Sequence, residues 1–214
     1  MHYEFLTEDQ SSKRAMEILA PKLLGKNDTY RFHPYKGIGR TPKGLRPRTD
    51  ADKRILLDQL PRLLQGYGKT PHSGLVVILC DLDDRDKLQF LSELRGVLHT
   101  CDPRPEAVFC IAIEEFEAWY LGDLPAVRKA YPRAKSAVLN GYINDSICGT
   151  WELLADAVYR GGHHALLKKG WQAVGEQKSI WASTISPHMS VDENRSLSFR
   201  DMCAKLRRNT VQEE

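Results

Sequence analysis

Leu75-Val76-Val77-Ile78-Leu79-Cys80-Asp81-Leu82-Asp83 decides the fold. Six apolar residues run without a break, β-branched in the middle, between the turn signal Pro71-His72-Ser73-Gly74 and a sudden pair of acids. Such a run suits a strand covered on both faces, as in a parallel sheet flanked by helices; a strand with one wet face alternates apolar and polar instead. Charge begins where the strand stops. Open parallel sheets place their sites beyond the carboxyl ends of the strands, so Asp81 and Asp83 stand where chemistry is expected.

The same arrangement recurs on either side. Residues 2–6 read as a short first strand that runs into Glu8 and Asp9, and residues 107–113 as a buried strand that runs into Glu114-Glu115-Phe116-Glu117. Helices fall between them. Ser11 or Ser12 caps one that reaches about Leu24. Asp50 caps a second over 51–64, stopped by Gly66 and Gly68, and a third spans 86–98. The strand–helix rhythm predicts an α/β fold: a Rossmannoid, parallel-rich sheet with flanking helices and a helical C-terminal half. That half holds expected helices over 124–130, 150–159, 179–186 and 198–208. Residues 1–125 are thus expected to form the catalytic core, with 30–54 as a basic loop insertion. Residues 126–214 form a helical extension packed on it, fraying from Asn209.

Three predicted strands therefore end in carboxylates, and neighbouring parallel strands would bring them to one rim. Clustered carboxylates repel and raise one another's proton affinity. A hard divalent cation removes that cost, and magnesium, which keeps several waters, needs only a few of them. Asp-x-Asp just past a strand turns alternate carboxylates the same way. Such ions polarise a phosphate, activate water and stabilise the leaving oxygen. The candidate ligands and catalytic groups are Glu8 (ligand or general base), Asp81, Asp83 and Glu117, with manganese able to replace magnesium. Glu114 and Glu117, three apart, share a side if a helix begins there, which leaves Glu115 the less favoured. Lys178 is the candidate for stabilising charge on the scissile phosphate. Each residue has a bland alternative: acids cap helices beyond strands, as Asp84 and Asp86 look set to do, and a lysine before a helix is ordinary surface. The coincidence of three acidic strand ends favours chemistry.

Net charge is +3, from 31 basic and 28 acidic residues, too mild to argue nucleic-acid binding alone. Its distribution says more. Residues 30–54 hold eight Lys/Arg against two acids, mixed with Tyr, Phe, His, Gly and Pro. Arg31, Lys36, Arg40, Lys43, Arg46 and Arg48 are the candidate contacts to a nucleic-acid backbone, the alternative being a solvated loop. Five cysteines without C-x-x-C spacing argue against a disulfide framework or a structural zinc. His163-His164 is expected in a loop, the two rings pointing apart, and the four tryptophans are expected in the core. Asn194, Ser196 and Ser198 form a polar cluster in which Ser198 caps the last helix. The first residues lack a signal-peptide core, and no apolar run nears the roughly 18 residues needed to cross a bilayer. A cytoplasmic protein without a membrane partner is expected. No Gly-x-x-x-x-Gly-Lys-Ser/Thr loop is present, which argues against the chain being an ATPase.

Glu8 after a strand, the helix opening at Ser11, and Asp81-x-Asp83 after an apolar strand together resemble the TOPRIM fold of topoisomerases, primases and overcoming-lysogenization-defect nucleases. Two further stretches, Ile113-Glu114-Glu115-Phe116-Glu117-Ala118-Trp119-Tyr120-Leu121-Gly122-Asp123 and Lys178-Ser179-Ile180-Trp181-Ala182 through Asn194-Arg195-Ser196-Leu197-Ser198-Phe199, are similar to domain-of-unknown-function family 4276, grouped with TOPRIM-like proteins. The resemblance implies magnesium on the first glutamate and the Asp-x-Asp pair. It also implies a nuclease that cuts DNA or RNA as an effector of bacterial anti-phage defence beside an ATPase, with a homo-oligomer allowed. Asp9 stands where TOPRIM proteins usually place Gly, and Ser12 stands near their later acid, so Asp9 is the reserve to Glu8. That departure also motivates the competing expectation of a non-catalytic binding or regulatory subunit. Phosphate-ester transfer on a small molecule is a third, weaker option.

Overall fold

A computed structural model describes residues 1–37, 39, 55–71 and 74–210. Four strands, β1 (His2–Thr7), β2 (Thr29–Pro34), β3 (Leu75–Asp81) and β4 (Ala107–Ala112), form one sheet in the order β2-β1-β3-β4. Every pairing is parallel. Parallel neighbours need crossovers, and three helices supply them: α1 (Gln10–Leu23), α2 (Leu56–Lys69) and α3 (Lys87–His99). Among the described residues, the chain after β4 holds seven further α-helices joined by loops: α4 (Glu117–Leu121), α5 (Leu124–Ala130), α6 (Ser136–Asn140), α7 (Thr150–Val158), α8 (Gly162–Leu167), α9 (Trp171–Ile185) and α10 (Leu197–Thr210). The fold is the expected helix-flanked parallel sheet.

The apolar run behaves as its composition requires. Val77 and Leu79 face one core with Tyr3, Phe5, Met16 and Leu19, while Val76 and Ile78 face the other with Leu6, Leu60, Leu64 and Phe90. The first core continues through Trp119, Trp151, Trp181 and Phe199, so α4, α7, α9 and α10 share it with α1 and the sheet. Truncating such a side chain to Ala typically costs about 3–5 kcal/mol. None of the described helices is long and apolar enough to cross a membrane.

Several local expectations are corrected. Residues 30–34, expected as the start of the basic loop insertion, belong to strand β2. Among the described residues it pairs with β1 alone, and its side chains are exposed or half-buried, so its pattern is muted as at any edge. Its Phe32 ring stacks on Phe5 at 4.9 Å. Helix α1 is capped by Asp9, whose carboxylate accepts from the Ser12 N–H at 2.7 Å and from both serine hydroxyls, so neither serine is the cap. Helix α2 runs past Gly66 and Gly68 to Lys69 because the α3–β4 connection packs on it; a Cβ at Gly68 would meet the Pro103 carbonyl. The expected start of that helix at 50–54, the 72–73 turn and the tail beyond Thr210 lie outside the described residues. Helix α9 begins eight residues before the expected 179, so Lys178 lies within it. Helix α10 is capped by Ser196, which accepts from the Phe199 N–H at 3.1 Å, while Ser198 Oγ receives the Trp119 Nε1–H at 2.9 Å.

Candidate active site

Because β1, β3 and β4 are adjacent and parallel, their carboxyl ends share one rim. Glu8 follows β1, Asp81 ends β3, and the 114–117 run follows β4. The Asp81 N–H donates to Glu8 Oε2 at 3.1 Å, which ties the first two together. Lys178 reaches in from α9 and lies 3.2 Å from both Glu115 Oε1 and Glu117 Oε2. Thus the structure gathers four of the sequence-expected residues, Glu8, Asp81, Glu117 and Lys178. It adds Glu115, the member expected to matter less.

The electrostatics follow from burial. Burial pushes the Glu8 carboxyl up to about 7, against the Asp81 amide, with the Asp83 and Asp9 charges adding to the rise. Asp81 is raised well above the ordinary carboxylate range by burial and by Glu8, while Lys178 pulls it down. Glu115 is lifted by burial to about 7 against the pull of Lys178. Glu117, 2% exposed, is raised by burial, and Lys178 opposes this. Burial alone would lower Lys178; the charges of Glu117, Glu115, Asp81 and Asp9 outweigh it and hold the ammonium above its ordinary value. One cation thus faces several acids, and like charges that cannot all ionise retain protons.

Two expected residues behave differently. Strand β3 stops at Asp81, and Asp83 adopts φ 51°, so strand alternation does not reach it. Asp83 Oδ2 accepts from Arg85 Nη1 at 2.6 Å, although its charge still reaches Glu8. Glu114 adopts φ 59° and turns away. Its carboxylate accepts from the N–H groups of Cys148 (3.1 Å), Gly149 (2.8 Å) and Thr150 (3.0 Å) and from Thr150 Oγ1 (2.6 Å). Despite burial, those bonds hold its proton affinity low. Since α4 starts at Glu117, the two glutamates do not share a helix side: Glu114 anchors the start of α7, and Glu115 takes the place beside Lys178. Asp9, the reserve ligand, is occupied by its capping bonds.

Behind the rim lies a buried polar clamp. Asn194 Nδ2 donates to the Trp119 carbonyl at 2.8 Å and its Oδ1 accepts the Ser196 N–H at 2.9 Å. Asp145 accepts from both Ser196 Oγ (2.7 Å) and Ser198 Oγ (3.0 Å). A Cβ at Gly122 would sit 2.3 Å from Asn194 Oδ1, so only glycine lets this loop close on α4. The clamp fixes the helix that begins with Glu117.

Of the expected nucleic-acid contacts, Arg31 lies on β2 opposite Glu4, three residues back from the rim. Lys36 is exposed and next to Gly37, whose N–H donates to the Glu8 carbonyl at 3.0 Å. Arg40, Lys43, Arg46 and Arg48 lie outside the described residues. His163 and His164 are not in a loop but on α8, with rings 3.9 Å apart and His163 Nδ1 2.9 Å from Asp156 Oδ1. Three tryptophans are buried as expected; Trp171 is 72% exposed.

Whether these residues suit a divalent metal can be judged from the donors themselves. Among the described residues, no group of three His, Cys, Asp or Glu is set to ligate one ion as it stands. Magnesium, however, is commonly held through one or two carboxylates plus waters and substrate phosphates. The Glu8 and Asp81 carboxyls are close enough for the charge of Glu8 to raise Asp81, and buried Glu117 Oε2, though 3.2 Å from Lys178, makes no hydrogen bond. The donor set fits.

Fold and rim together define a parallel α/β protein with a buried carboxylate–lysine cluster at the carboxyl edge of its sheet. The chain belongs to the family described as Domain of unknown function (DUF4276), which it matches over residues 7–207. No curated protein and no solved structure matches it.

Proposed function

We propose that this chain is a TOPRIM-like, magnesium-dependent nuclease that hydrolyses phosphodiesters of DNA or RNA. The supporting observation is the convergence of Glu8, Asp81, Glu115 and Glu117 from three strand ends around Lys178. Magnesium, or manganese in its place, would be held by Glu8 and Asp81 with Glu117 behind them, and would supply Lewis acidity and charge neutralisation. Glu8 is the ligand or, where it does not hold the ion, the general base for the attacking water; its Oε2 is engaged by the Asp81 amide, which leaves Oε1 for one of those two roles. Lys178, braced between Glu115 and Glu117, offers a fixed positive charge to the developing phosphorane oxygens. In the cell, the resemblance to TOPRIM nucleases supports an anti-phage effector in the cytoplasm beside an ATPase partner.

One observation favours the second reading, a non-catalytic regulatory subunit of such a complex: Lys178 already neutralises part of the acid cluster. Incubating the chain with plasmid, single-stranded oligonucleotides and tRNA, with magnesium or manganese, separates the two. The proposal expects cutting that is lost in the Glu8→Ala/Asp81→Ala double variant. Unchanged cutting by that variant overturns the assignment; no cutting even with the ATPase partner present favours the regulatory subunit.

A further inference from the structure

A second basic stretch lies outside residues 30–54 of the sequence. Residues 157–175 carry Arg160, Lys168 and Lys169 and no acid. Lys169 Nζ donates to the Tyr159 hydroxyl at 2.7 Å. Tyr159 and Arg160 also line a cleft of about 760 Å³, together with Arg133 and Lys135, and no acid lines it. Trp171 stands at the start of α9, 72% exposed, its ring edge-to-face with Trp151 at 6.2 Å. Trp151 in turn sends its backbone N–H to Glu115 Oε2 at 3.2 Å. Positions 171, 174, 178 and 181 follow one stripe of α9. Trp171 is therefore about 10 Å along the helix axis from Lys178, on the same side. It continues the inward stripe to the start of the helix, where it is 72% exposed.

An exposed indole braced by Trp151, with Lys168 and Lys169 just before it in the chain and Lys169 tied to the Tyr159 that lines the basic cleft, suits one ligand chemistry: flat apolar rings strung on a polyanion. Bases in a duplex are already stacked on their neighbours and offer only their edges, whereas unpaired bases offer a face. We propose that Trp171 is the stacking platform for an unpaired nucleobase. Lys168, Lys169, Arg133, Lys135 and Arg160 carry the adjoining phosphates, so the chain takes single-stranded nucleic acid. The nuclease proposal is needed only for the corollary that the bound strand leads to the carboxylate rim; binding itself is read without cleavage.

Intrinsic fluorescence tests this in EDTA. Trp119 and Trp181 are fully buried and Trp151 nearly so, so a stacked base quenches Trp171 selectively. A single-stranded oligothymidylate should quench the wild-type emission and a duplex of equal length should not. Trp171→Ala should abolish the quench and weaken single-strand binding, measured by anisotropy of a labelled oligonucleotide, by roughly 5- to 150-fold, the equivalent of about 1–3 kcal/mol for one stacked base. Lys168→Glu should keep the quench while weakening binding and flattening its salt dependence. An unchanged melting temperature for Trp171→Ala guards against loss of fold. Equal affinity in Trp171→Ala, or equal quenching by duplex, overturns the inference. So does failure to bind any nucleic acid while Trp171 instead joins two copies of the chain, seen as a dimer lost in Trp171→Ala. Quenching without cleavage under any metal would leave the inference standing and remove the nuclease proposal; cleavage indifferent to Trp171 would do the reverse.

Discussion

Replacing Lys178 with Met keeps the apolar stem and removes the cation that, among the described residues, is paired with the rim glutamates. Lys178 is 16% exposed, and its partners Glu115 and Glu117 are 21% and 2% exposed. Removing one member of a buried ion pair typically costs about 3–5 kcal/mol, because the other charge is left unpaired. Here the acids have an escape: they can take protons. Burial already pushes Glu8 and Glu115 up to about 7 and raises Asp81 and Glu117; Lys178 lowers all four, so its loss raises them further. A carboxyl whose folded value lies above its unfolded one contributes stability below the unfolded value, near 4.5, and loses it as pH rises through the folded value. The difference between wild type and Lys178→Met should therefore be small, under about 1 kcal/mol, at about pH 5 and reach about 3 kcal/mol at about pH 8. For a chain of this length that is a drop of roughly 6–12 °C in melting temperature. Urea unfolding followed by tryptophan fluorescence at the two pH values measures it. An equal loss at both would show that Lys178 acts through packing of its stem, and would refute the charge-balance account of the rim.

Two further outcomes follow from the same geometry. Asp81→Asn removes a carboxylate that is raised well above its ordinary range, so at about pH 8 the metal-free variant should be more stable than wild type by about 1 kcal/mol, or roughly 2–4 °C, in a thermal melt; a less stable variant would contradict the repulsion. Glu114→Ala strips the hydrogen bonds that start α7 and should cost about 1–3 kcal/mol at neutral pH. Because Glu114 is held below its ordinary value, its contribution exists above about pH 4.5 and fades as pH falls through the folded value, so the gap in urea unfolding should narrow as pH is lowered below about 4.5, and a gap independent of pH would point to backbone strain instead.

The sheet was legible because burial on both faces leaves a mark that composition cannot hide: Leu75 to Cys80 had to be covered on both sides, and the acid after each apolar run marked where the chain left the sheet. Convergence of Glu8, Asp81 and Glu117 followed from adjacency of parallel strands, not from any local motif. What stayed hidden was backbone geometry and context. Nothing in Glu114-Glu115-Phe116-Glu117 announces a left-handed residue at Glu114, and that single φ decides which glutamate faces Lys178. Strand β2, at an edge, buries too little to show a clear period. Asp9 drew notice for standing in place of a glycine, and its capping of α1 could have been foreseen from the two serines that follow. Trp171 lies on a stripe with Val174, Lys178 and Trp181 that is visible in the sequence, but the pattern cannot say that the core ends before the stripe does.

The rim account is tested most directly by an anomalous-difference map of crystals soaked in manganese. The account predicts a peak within bonding distance of Glu8 and Asp81 carboxylate oxygens, beside Lys178, that vanishes in Asp81→Asn crystals. An ordered rim with no peak there, or a peak only on surface acids elsewhere, would contradict it.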